Sequence, residues 1–98
     1  MFKGKKVLVL GLAKSGKAAV ELLKFMHADI TINESKKKED IPEYDTYVNE
    51  GIEMVCGGQP DELFERDFDF VVKNPGINYH APFILRLKER GIPVYTEI

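Results

Sequence analysis

Cysteine is nearly absent: Cys56 stands alone among 98 residues. One thiol closes no internal disulfide, and such a chain fits a reducing cytoplasm. Charge of one sign is scarce as well. Lys and Arg number 14 against 16 Asp and Glu, leaving a net charge of −2. That balance gives no electrostatic footing for nucleic acid or an anionic membrane surface. No apolar run approaches the ~20 residues that cross a bilayer. The opening Met1-Phe2-Lys3-Gly4-Lys5-Lys6 leads straight into a strand and lacks the shape of a signal peptide. No Cys/His cluster has zinc-ligand spacing, so no metal site is expected. There is no internal repeat and no low-complexity linker. What remains is one compact domain at most, 44% hydrophobic and 31% charged, the composition of an ordinary soluble globule.

The pattern along the chain is strand, helix, strand, repeated. Val7-Leu8-Val9-Leu10 is continuously apolar and reads as a strand buried on both faces. A helix follows from about residue 15, with Ser15 as its N-cap and Ala18, Ala19, Leu22, Leu23 and Met26 as its apolar stripe. Lys24 and His27 suit its C-terminal end. A second strand is predicted over residues 29–32 and a polar loop over 33–45. A short helix over 44–50 is stopped by Gly51. The third strand, over 52–55, alternates apolar and polar, as an exposed strand does. A short helix near 60–66 and a wholly apolar fourth strand, over 70–72, follow. Asn74-Pro75-Gly76 signals a turn. The last helix, over 81–90, has Pro82 in its first turn and Phe83, Ile84 and Leu87 as its stripe. Gly91 ends it, and a strand over 92–95 closes the series.

Alternating strands and helices imply a parallel sheet with right-handed crossovers. Pro93 donates no ladder hydrogen bond, so the fifth strand belongs at an edge. The half-exposed third strand takes the other edge, and strands one and four are central. The expected fold is therefore α/β: a three-layer, Rossmann-like domain with a five-stranded parallel sheet of order 3-2-1-4-5 and helices on both faces. Ligands of such sheets bind at the switch point beyond the carboxyl ends of the strands. Two marked loops meet there, residues 11–16 and 73–77, with Asn33-Glu34-Ser35 beside the first.

The first loop suits phosphate for a physical reason. A helix that starts there leaves its first N–H groups unpaired and carries a partial positive charge. Gly11 permits the turn out of the strand, and Gly16 permits close packing of the helix. The blander alternative is a tight strand-helix turn without a ligand. An ATPase loop needs Ser or Thr after the Lys to hold magnesium, but Ala18 follows Lys17. It also needs an acid at the end of a neighbouring strand, whereas Asp69 stands at the beginning of the fourth. On this reading Lys17 is a solvated helix residue. An NAD site wants Gly where Ala13 stands and a carboxylate ending strand two. Asn33 is the expected strand end and Glu34 follows it. A regulatory NAD-binding Rossmann module therefore stays open as the alternative to a nucleoside diphosphate held by half a dinucleotide fold.

Three stretches, KKVLVLGLAKSGKAAVELL, VVKNPGINYHAP and GIPVYTEI, carry a resemblance over essentially the whole chain. Together they resemble the N-terminal domain of the bacterial Mur ligases, most of all the branch that adds D-glutamate. That branch extends UDP-N-acetylmuramoyl-L-alanine with ATP and Mg2+, through an acyl-phosphate, in peptidoglycan synthesis. The resemblance implies that residues 1–98 are a UDP-substrate-binding domain, monomeric, from the bacterial cytoplasm. The central ATP-binding domain and the C-terminal domain, its partners in cis, would lie outside these residues. No catalytic residue, ATP loop or magnesium ligand is then expected here. By the matching motif, Gly11, Ala13, Lys14, Ser15 and Gly16 would meet the diphosphate. Asn33, Glu34 and Ser35 would read uracil, and Asn74, Pro75 and Gly76 would close the other side. Some relatives carry Asp-Thr-Arg or similar where this chain has Asn33-Glu34-Ser35. An Asn at 33 still offers a donor and an acceptor to the uracil edge.

Other polar and aromatic residues have plainer readings. His80 is expected as an exposed N-terminal cap of the last helix, and His27 as a helix-end residue. Cys56 reads as a half-buried, unreactive thiol. Lys36, Lys37 and Lys38 read as a solvated charge run. Tyr44, Tyr47 and Tyr79 are candidates to stack on a base.

Overall fold

The computed structural model describes residues 3–12, 14–77 and 80–96. Ala13 and Tyr79 lie outside them, and Lys14 and Ser15 are described in backbone only. The strands are β1 (Lys6–Leu10), β2 (Asp29–Glu34), β3 (Glu53–Cys56), β4 (Phe70–Lys73) and β5 (Val94–Tyr95). The helices are α1 (Lys14–Phe25), α2 (Tyr44–Asn49) and α3 (Pro82–Glu89). Two short 3-10 turns, Lys38–Asp40 and Asp61–Glu65, complete the order. All pairings are parallel and the sheet runs β3-β2-β1-β4-β5, as the strand chemistry predicts.

β1 explains the layering. Val7, Leu8 and Val9 have no exposure at all. Val7 and Val9 join α1, α2 and Ile41 in one core, while Leu8 and Leu10 join α3, Leu63 and Phe64 in the other. Alternate side chains of one strand thus feed two cores, which is why its sequence shows no polar alternation.

α1 is rotated from the predicted stripe. Its buried residues are Gly16, Ala19, Val20 and Leu23, while Ala18 and Leu22 face solvent. The i, i+3, i+4, i+7 series starts at Gly16, whose contact with the loop fixes the rotation. The helix begins at Lys14, so Ser15 lies in its first turn and is not its cap.

All three helices end alike. The N–H groups of Ala28, Ile52 and Ile92 reach back to the carbonyls of Leu23, Tyr47 and Leu87, each at 3.0 Å. The preceding residue is in the left-handed region each time: His27 at φ 60°, Gly51 at 84° and Gly91 at 76°. This is the Schellman ending, and its apolar last residue drops the chain into the core where the next strand begins.

Several other boundaries differ from the sequence reading. β2 runs on to Glu34, because Asn33 and Glu34 are buried with their polar atoms bonded. Within the expected polar loop a 3-10 turn forms, and Ile41 packs into the core. The expected helix near 60–66 is a 3-10 turn that buries Leu63 and Phe64. β5 keeps only two residues, because Ile92 closes the ending of α3. His80 is exposed, and the cap position of the last helix is Ala81, not His80.

The floor of the sheet, where the strands begin, is cross-tied. Lys6 N–H donates to Asp69 Oδ2 at 2.7 Å. Arg66 grips Glu53 through two nitrogens, at 2.7 and 3.1 Å. Arg90 donates to the Phe64 and Arg66 carbonyls at 2.6 and 2.9 Å and to Asp67 at 2.8 Å. Lys24 pairs with Glu50 at 2.6 Å.

Candidate functional site

The register brings the strand ends level. Leu10 stands opposite Asn33 on one side and Lys73 on the other, and Asn33 opposite Val55. β1 and β4 open into loops one residue further on, and β2 and β3 one residue after that. Between these loops lies an open cleft of ≈ 390 Å³ whose lining includes Gly11, Leu12, Asn33, Glu34, Ser35, Asn74 and Gly76. This is the switch point of the sheet, where chain direction reverses between β1 and β4.

The two main walls touch. Gly11 has φ +92°, a conformation that only glycine adopts cheaply. A Cβ at Gly11 would stand 3.2 Å from Asn74 Cβ. Gly16 sits directly behind: a Cβ there would lie 2.1 Å from the Gly11 carbonyl oxygen. The close approach predicted for Gly16 is therefore to the loop itself. Asn74 organises the opposite wall. Its N–H donates to Leu10 O at 3.0 Å, its Oδ1 accepts Gly76 N–H at 2.9 Å, and its carbonyl accepts Ile77 N–H at 2.9 Å. Buried Lys73 donates its ammonium to Ile77 O at 2.7 Å and so holds the turn from beneath. Pro75, between Asn74 and Gly76, is exposed on that turn.

The third wall is more committed than its sequence suggests. The Glu34 carboxylate accepts N–H bonds from Leu12 at 2.8 Å and Lys36 at 2.9 Å, and the Ser35 hydroxyl at 3.2 Å. Burial pushes this carboxyl up. The N–H groups of Lys36 and Leu12, the Ser35 hydroxyl and the Lys36 charge together outweigh burial and hold it below the usual carboxylate range. Asn33 Nδ2 donates to Val55 O at 3.0 Å and Gly58 O at 2.7 Å. Both of its amide protons are spent on backbone, so the donor expected for uracil is already engaged. Asn33 and Glu34 thus lie at the cleft but brace its walls.

Of the stacking candidates, Tyr47 is buried in the core, with its hydroxyl titration pushed up by that burial, and does not face a ligand. Tyr44 packs partly against the same core. Cys56, opposite Glu34 in the ladder, is half-buried, and burial, then the Glu34 and Glu39 charges, push its thiol up.

The sequence reading missed part of the lining. Lys17 and Glu43 face each other across the rim at 3.0 Å, so Lys17 is ion-paired at the cleft, not simply solvated. Ile41, Pro42, Gln59 and Ile77 also line it. The apolar pair Ile41-Pro42 inside a polar stretch was the available signal. Among the described residues no group of three or more His, Cys, Asp or Glu is placed to hold a metal ion. No helix there is long and apolar enough to cross a membrane.

Comparison with known proteins agrees with this architecture. A family model described as the Mur ligase MurD-like N-terminal domain matches residues 5–96. The UDP-N-acetylmuramoylalanine–D-glutamate ligase of Streptococcus thermophilus is 50% identical over 96 residues, 98% of this chain and 21% of that protein. The ligase of the same name from Streptococcus pneumoniae is 50% identical over 97 residues, 99% of this chain and 22% of that protein. That of Streptococcus uberis is 48% identical over 97 residues, 99% of this chain and 21% of that protein. The chain spans about a fifth of the length of these curated relatives.

Proposed function

This chain belongs to the MurD-like N-terminal domain family of the Mur ligases, and we propose that it holds the UDP part of UDP-N-acetylmuramoyl-L-alanine for an ATP-dependent ligase that adds D-glutamate. On this reading residues 1–98 are the substrate-binding domain of a bacterial, cytoplasmic enzyme of peptidoglycan synthesis, acting as a monomer. The observation that carries the reading is the cleft at the switch point. It brings Gly11, Lys17 at the start of α1, and Asn74 and Gly76 of the facing turn to one opening. A diphosphate against that first turn meets unpaired N–H groups and the positive end of the helix dipole. Lys14, Ser15 and Gly16 supply that turn, and Ala13, outside the described residues, belongs to the same proposal. Asn33, Glu34 and Ser35 form the uracil end, where Asn33 and Glu34 act by bracing the wall.

The NAD alternative is disfavoured by Glu34. A dinucleotide site needs a free carboxylate at the end of β2 for the ribose. The Glu34 carboxylate accepts the N–H groups of Leu12 and Lys36 instead. ATP and Mg2+ do not suit this chain's donor set either. Ala18 offers no hydroxyl to a metal, β4 ends in Lys73, and Asp69 is used at the floor. We assign ATP, Mg2+ and the catalytic residues to the four fifths of the relatives that this chain does not span.

Titrating the labelled chain with UDP, UDP-N-acetylmuramoyl-L-alanine and NADH tests this by amide chemical shifts. The expected result is movement at Gly11, Gly16, Ser35 and Gly76 with both uridine ligands and none with NADH. Movement with NADH alone would overturn the proposal.

A further inference from the structure

The charge balance of the cleft raises a question. Among the described residues its lining carries Lys17 and Lys36 against Glu34, Asp40 and Glu43, an excess of acid for a site read as taking a diphosphate. Glu34 is committed to its own loop. The remaining arrangement at the rim is the pair Lys17 Nζ–Glu43 Oε1 at 3.0 Å. Lys17 lies in the fourth position of α1, beside the helix start, and its side chain is 50% exposed. Glu43 stands immediately before α2 and is 29% exposed. Its second oxygen, Oε2, is buried and has no hydrogen-bond partner among the described residues. The carboxylate is therefore held at the rim by its backbone position, with Lys17 as its ion-pair partner among the described residues.

We propose that Lys17 is the cationic contact for the diphosphate of the ligand, and that Glu43 is its counter-charge in the unliganded cleft, displaced when the diphosphate arrives. The proposal rests on the reading of the cleft given above. An ammonium group carries three donors, and one exposed pair with a carboxylate holds it only weakly. A diphosphate brings more charge and more acceptors than one carboxylate and wins the exchange. Water then solvates Glu43 Oε1 at the exposed rim. The pair also sets selectivity. A singly charged anion gains too little to displace Glu43, so the bare cleft discriminates against it.

Isothermal titration of the chain with UDP, and separately with inorganic pyrophosphate, tests the assignment in five forms: unaltered, Lys17→Met, Lys17→Arg, Glu43→Gln and the Lys17→Met/Glu43→Gln double variant. Both positions are partly exposed, and thermal melts check that each variant folds. Lys17→Met is expected to weaken both ligands about threefold to tenfold, and Lys17→Arg to restore most of the loss. Glu43→Gln is expected to tighten both about twofold to fivefold, a gain that vanishes in the double variant. Unchanged affinity in Lys17→Met, or an undiminished Glu43→Gln gain in the double variant, overturns the proposal. If UDP fails to bind the unaltered chain, the uridine reading falls and the pyrophosphate series still decides for Lys17. Pyrophosphate that binds neither the unaltered chain nor Glu43→Gln overturns the proposal as well.

Discussion

Two residues govern the mouth of the cleft at the residue scale. Gly16 has no room for a methyl group, since its Cβ would stand 2.1 Å from the Gly11 carbonyl. Backbone yields poorly, so Gly16→Ala should destabilise the fold by about 3 kcal/mol, read from urea unfolding. It should also shift the amide signals of Gly11 and Asn74. Glu34 imposes a pH dependence whose sign follows from its depressed titration. Its contribution is complete above the pKa of an unfolded glutamate, about 4.3. It is lost as pH falls from there through the lower folded value. Unfolding free energies across the acid range should fall more steeply for the unaltered chain than for Glu34→Gln, and equal slopes would refute the clamp. Gly16 and the outline of this site were legible in the sequence, because a helix start against a glycine turn is a local matter. The commitments of Asn33 and Glu34 were not. Besides the local Ser35 and Lys36, their partners Val55, Gly58 and Leu12 lie 22 to 25 residues away and are set by strand register.

The helices share one ending at the scale of elements, and one copy is strained. Gly51 and Gly91 adopt a positive φ at little cost, but His27 does so at φ 60° with a Cβ to accommodate. His27→Gly should stabilise the chain by about 0.5–1 kcal/mol, measurable as a raised thermal midpoint. A loss of stability would mean that the exposed imidazole contributes something the backbone does not record. The element types read well from sequence because apolar runs and glycine stops are strong local signals. The rotation of α1 did not. Ala18, Ala19 and Leu22 fit a helical stripe as well as Ala19, Val20 and Leu23 do. Only the contact of Gly16 with the neighbouring loop chooses between them.

For the molecule as a whole, the doubly fed core makes β1 the element of greatest protection. It is paired on both sides and covered on both faces. Native-state hydrogen exchange should find the amides of Val7 to Leu10 opening only with global unfolding, and those of β5 and α2 well before it. Equal protection throughout would contradict the layering. The strand order was legible before the structure because Pro93 marks one edge and the alternating third strand the other. The 3-10 form of the two turns was not, since Ile41 just after the first and Leu63 and Phe64 within the second are fixed by the cores they close and not by local periodicity. The ties across the floor of the sheet have a mechanical consequence. Lys6, Arg66 and Arg90 rivet the starts of the strands to the segment before β4, while Asn33, Glu34 and Asn74 fasten the opposite end. The two ends are sewn separately, so cutting a floor rivet should loosen the strand starts and leave the seams of the cleft intact.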